Sequence, residues 1–175
     1  MRDNLKESLF LFFIHRIPLV MTILLMLFFY MPIKSMELYY LRPAIGIICV
    51  YYWTLKRGYL FSYISAFWIG LIMDIYSSTP LGMNILMMML LVWVTGWLTK
   101  YFKGSSFSAT WMVFASVSLL ITFVKWLVFS IYFKQFAPIA EILLNLLSTI
   151  MFYPLIAYIN ILIQNSLLPQ ERINE

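Results

Sequence analysis

The chain has 175 residues, of which 63% are hydrophobic and 11% charged, with a formal charge of +5 at pH 7 and a mean hydropathy of +0.91. A water-soluble domain carries about 25% charged residues, so this composition excludes that class and belongs in a bilayer. One cysteine, Cys49, excludes an intramolecular disulfide, and with one histidine, His15, a zinc site cannot be built from Cys and His alone.

Arg2 and Lys6 followed by the apolar stretch 19–29 have the outline of a signal peptide. The next residues, YMPIKSMELYY, lack a small-residue cleavage site, so a retained anchor is expected. A spanning helix needs about 20 apolar residues. On that measure the sequence predicts an all-α, polytopic membrane protein of six spans forming one transmembrane domain. They fall at 17–33, 41–55, 59–76, 81–98, 107–133 and 139–163. SSTPLG, residues 77–82, is a tight turn in which Pro80 can start the fourth helix. KYFKGSSFS, residues 100–108, is a loop by its Gly-Ser-Ser punctuation.

Positive residues set the direction. With the N-terminus inside, the inner segments hold Arg2, Lys6, Arg16, Lys56, Arg57, Lys100, Lys103 and Arg172. The outer loops hold only Lys34, Arg42 and Lys134, and Lys125 lies within a span. Cytoplasmic loops are enriched in Lys and Arg, so both termini are expected in the cytoplasm, in agreement with an even number of spans.

The polar residues within the spans carry the functional signal. Asp74 sits near the outer end of the third span, with Gly70 and Ala66 four and eight positions before it on the same helix face. Small residues on one face let a second helix approach closely, which turns Asp74 toward protein rather than lipid. Arg42 opens the second span from outside. Ser118, Thr122 and Lys125 form one stripe on the fifth span, and Glu141, Asn145 and Ser148 one on the sixth. Charges inside a membrane pair with one another or line a cavity. The pattern therefore predicts a polar pocket in the outer half of the bundle, with Asp74 paired to Arg42 or Lys125. The competing reading is local. Lys125 and Glu141 snorkel to the interface, Arg42 anchors there, and Asp74 caps the turn before Pro80.

Catalytic constellations are missing from the sequence. His15 lies at the wrong face to serve a Ser/His/Asp set, and neither a Walker-type loop nor an HExxH motif occurs. Asp74 has no acidic neighbour at i+3 or i+4, and an intramembrane aspartyl protease wants two aspartates in spans. A non-enzymatic protein without a cofactor is expected.

LRP at 41–43, followed some thirty residues later by GLIMDIYSSTPLG, resembles the rod shape-determining protein MreD family. Gly70, Asp74, Pro80, Leu81 and Gly82 carry the resemblance, which is strongest between His15 and Leu98. It implies a non-catalytic inner-membrane subunit of the bacterial elongation machinery. Members of that family act with MreC, the actin-like MreB, the glycosyltransferase RodA and a class B penicillin-binding transpeptidase. The family is also similar to the substrate-binding subunits of energy-coupling-factor transporters, six-helix bundles with an outward-facing pocket. That likeness raises the alternative of a vitamin-type transporter subunit with a bound small molecule.

Overall fold

A computed structural model describes residues 2–29, 42–59, 61–77, 79–102, 104–136 and 138–167, with side chains described from Arg16 to Ser166. Six helices follow one another: α1 (Arg2–Phe29), α2 (Ile45–Arg57), α3 (Tyr63–Ser77), α4 (Met83–Phe102), α5 (Phe107–Phe133) and α6 (Ile139–Leu167). Among the described residues there is no strand. Three of the helices are long and apolar enough to cross a membrane, at Met83–Phe102, Phe107–Phe133 and Ile139–Ser166, while Arg16–Phe29 and Tyr63–Ser77 are shorter apolar stretches.

The expected span 107–133 coincides with α5, and the others shift. Helix α1 runs back through the polar segment to Arg2, whereas the expected end at residue 33 and start at residue 41, with the Lys34 loop between them, lie outside the described residues. Helix α4 starts at Met83 rather than at Pro80. Pro80 stays in the turn, where its carbonyl accepts the Met83 N–H at 3.1 Å.

Helix α2 is the central post. It has only 13 residues, about 20 Å at 1.5 Å per residue, and every residue from Ile45 to Leu55 is buried. A helix that is apolar all round is kept from water by protein or by lipid, and for α2 the cover is protein. Here α1, α4 and α6 pack around it. Two of its hydroxyls find partners on α5 and α6, whereas the buried Trp53 Nε1 and Thr54 Oγ1 have no hydrogen-bond partner among the described residues. Tyr51 Oη donates to the Thr110 carbonyl at 2.9 Å, and Tyr52 Oη donates to Gln164 Oε1 at 3.1 Å. Phe114 stacks on Tyr153 with ring centroids 4.3 Å apart, and Tyr51 packs edge-on against both rings. Cys49 is buried and accepts from Asn160 Nδ2 at 3.6 Å, a packing role. The outward surface is apolar, with Phe28, Ile75, Trp93, Met112, Ile131 and Met151 all exposed.

Helix α6 contains Pro154. Proline has no N–H, so the carbonyl four residues earlier loses its helical donor. That carbonyl belongs to Ile150, and Trp111 Nε1 on α5 donates to it at 3.1 Å. In lipid each unpaired backbone group is costly, and this bond ties α5 to α6 at the point where α6 is weakest.

The chain runs up and down, so α2, α4 and α6 begin at the same end of the bundle where α3 and α5 finish. Hydrogen bonds crossing between Arg42 and Asn145, Asp74 and Gly82, and Asn84 and Lys125 all lie at that end.

Candidate functional site: a polar cleft built on helix starts

Gly70 allows α3 to lie directly on α4. A Cβ there would sit 2.5 Å from Ile85 Cα and 2.8 Å from Ile85 N. No side chain can be accommodated against backbone at that distance. One turn further along the same face, Asp74 is 2% exposed and points at the start of α4.

The first N–H groups of a helix have no partner within it. Asp74 supplies one from outside the helix. Its Oδ2 accepts the Gly82 N–H and its Oδ1 the Asn84 N–H, each at 2.8 Å, and Thr79 Oγ1 donates to Oδ1 at 3.3 Å. Gly82 stands at φ +99°, a conformation favourable only to glycine, and that turn aims its N–H at the carboxylate. The anion also complements the positive end of the α4 dipole.

Asn84 extends the network. Its Nδ2 donates to Thr79 Oγ1 and its Oδ1 accepts from Lys125 Nζ, both at 2.8 Å. Lys125 is thus held near Asp74 through an amide. The expected direct pair between Asp74 and Lys125 is replaced by this bridge, and Arg42 is not among the partners of Asp74. The reason is geometric: two backbone donors and a hydroxyl already surround the carboxylate.

A parallel arrangement fixes the start of α2. Asn145 Nδ2 on α6 donates to the Arg42 carbonyl at 2.6 Å, and the Ala44 N–H donates to Thr149 Oγ1 at 2.9 Å. Ser148, expected on the polar stripe, instead donates to the Asn145 carbonyl of its own helix at 2.9 Å. Ser118 is buried on the inner side of α5 and does not reach the cleft.

Between these two anchored helix starts lies a cleft of about 330 Å³. Arg42, Asn84, Thr122, Lys125, Glu141 and Asn145 supply its polar lining, and Met73, Met87, Met88, Trp126 and Phe129 much of its apolar wall. Gly70, Pro80 and Gly82 shape the α3–α4 junction without lining it. Asn84, Thr79 and Thr149 were not singled out from sequence. Asn84 stands two residues after a turn glycine, at a helix start, and that position was the available signal. Among the described residues no group of three His, Cys, Asp or Glu side chains is placed to hold a metal ion.

A family model described as rod shape-determining protein MreD matches residues 6–162. No curated protein and no solved structure matches the chain.

Proposed function

The chain belongs to the rod shape-determining protein MreD family and is an integral membrane protein with a role in cell shape; on that premise we propose that it is a non-catalytic scaffold subunit of the machinery that builds peptidoglycan during bacterial elongation. It sits in the inner membrane, crosses it six times and keeps both termini in the cytoplasm. Its partners are an MreC-like bitopic protein, MreB, a RodA-type glycosyltransferase and a class B penicillin-binding transpeptidase.

The family match over residues 6–162 carries this reading. The geometry supports it. Both oxygens of Asp74 are engaged by Gly82, Asn84 and Thr79. Asn145 holds the chain entering α2. These side chains fix helix ends, as a rigid docking platform requires, and leave Asp74 with neither a nucleophilic nor an acid–base task.

The cleft favours one second reading. Its volume of about 330 Å³ falls at the lower end of ligand pockets, which run from roughly 300 to 1,000 Å³. A substrate-binding subunit of a small-molecule transporter, of the energy-coupling-factor kind, would use such a cleft. The test is a mild-detergent pull-down of the tagged chain from its native membrane with mass spectrometry of everything retained. Recovery of an MreC-like protein with the cell-wall synthases is expected. Recovery of an ATPase pair together with a small molecule would overturn the scaffold.

A further inference from the structure

The cleft holds a carboxylate that the fold leaves unused and an amine that it uses only in part. Glu141 lines it from the first turn of α6, and among the described residues its carboxylate has no hydrogen bond or ion pair. Lys125 faces it from α5, and its single hydrogen bond there goes to Asn84, which leaves further N–H donors on Nζ. The two do not pair with each other. A half-buried carboxylate and a half-buried amine on opposite walls of one cleft call for a ligand that carries both charges. An anion alone would leave Glu141 facing like charge, and a cation alone would bring like charge up to Lys125.

We propose that this cleft binds a zwitterionic headgroup, an ammonium beside an oxyanion, supplied by phosphatidylethanolamine. The phosphate accepts from Lys125 Nζ, with Arg42 lining the same cavity. The ammonium donates to Glu141. The surroundings suit a lipid. Helices α5 and α6 form facing walls, from Ile121 to Phe129 and from Glu141 to Asn145. Their outward residues Phe123, Leu127, Leu143 and Leu147 are exposed apolar side chains. A headgroup can enter from the side while its acyl chains stay along those faces. The volume admits a headgroup and not a whole lipid. The site goes beyond the scaffold assignment and can fail independently of it.

The test is native mass spectrometry of the delipidated full chain in mild detergent. The probes are phosphatidylethanolamine, phosphatidylglycerol and phosphatidylcholine of one acyl composition, with free phosphoethanolamine as a separate arm. Phosphatidylethanolamine should be retained about tenfold over phosphatidylglycerol, the size of one hydrogen bond to a charged group. Glu141→Gln should remove that preference and Glu141→Lys should reverse it. Neither variant breaks a bond of the fold, and unchanged thermal unfolding without lipid checks this. Retention of free phosphoethanolamine as well would support the zwitterion site and show that the headgroup alone suffices. Equal retention of the three lipids, preference for phosphatidylglycerol in the wild type, or a preference untouched by Glu141→Gln would overturn the proposal.

Discussion

Asp74 Oδ1 accepts the backbone N–H of Asn84 at 2.8 Å, so a carboxylate on α3 caps the start of α4. The same residue takes the Gly82 N–H on its other oxygen. Removing such a cap leaves buried donors unpaired, at about 1–3 kcal/mol for each group left unsatisfied. Asp74→Ala should lower the melting temperature in detergent more than Asp74→Asn, which keeps one acceptor oxygen. Equal effects would show that the charge, not the cap, is what matters. In cells, Asp74→Ala protein at wild-type level should fail to sustain normal rod growth.

Gly70 and Gly96 offer a matched pair. A Cβ at Gly70 meets the α4 backbone, whereas one at Gly96 meets nothing within 4 Å. Overpacking a tight contact costs about 1–3 kcal/mol, so Gly70→Ala should destabilise the bundle by that order. Gly96→Ala should be neutral or slightly stabilising, since alanine is the better helix former by about 1 kcal/mol. Thermal unfolding of both variants in one detergent decides it, and similar losses would place the contact elsewhere.

Asn84 joins Thr79 to Lys125. Asn84→Leu keeps the branched outline with some added volume and removes both bonds, leaving Lys125 without its partner. The expected cost is about 1–3 kcal/mol, above that of Thr79→Val, which also breaks two bonds but takes no partner from the charged Lys125. Unfolding midpoints of the two variants rank them, and the reverse order would assign the network to the turn.

Trp111 and Pro154 should be coupled. The indole donates to the Ile150 carbonyl that Pro154 leaves without a helical donor. Trp111→Phe should cost about 0.5–1.5 kcal/mol in the wild type. In a Pro154→Ala background the helix supplies its own N–H, and the same change should cost less. A double-mutant cycle measures the difference directly; strict additivity would deny the link.

Composition and hydropathy alone determined the class of this protein. An apolar chain with short polar breaks must place its helices in a bilayer, because lipid leaves no other way to satisfy the backbone. The α5 boundaries followed from a serine punctuation before Phe107 and a long apolar run after it. Asp74, Lys125, Glu141 and Asn145 stood out because polar groups in a span are expensive and so must have a use. The Gly70–Asp74 spacing carried the contact face.

What only the tertiary structure decided is whom those residues meet. The main partners of Asp74 are the N–H groups of Gly82 and Asn84. N–H groups are present at every non-proline position and leave no letter in a sequence, in which the charged side chains of Arg42 and Lys125 are the visible candidates. The bridge through Asn84 and the hold of Thr149 on Ala44 depend on which turns of distant helices come level. That register is set by close packing, at Gly70 above all. The burial of α2 on every side likewise came from packing, since an apolar stretch reads the same whether lipid or protein surrounds it.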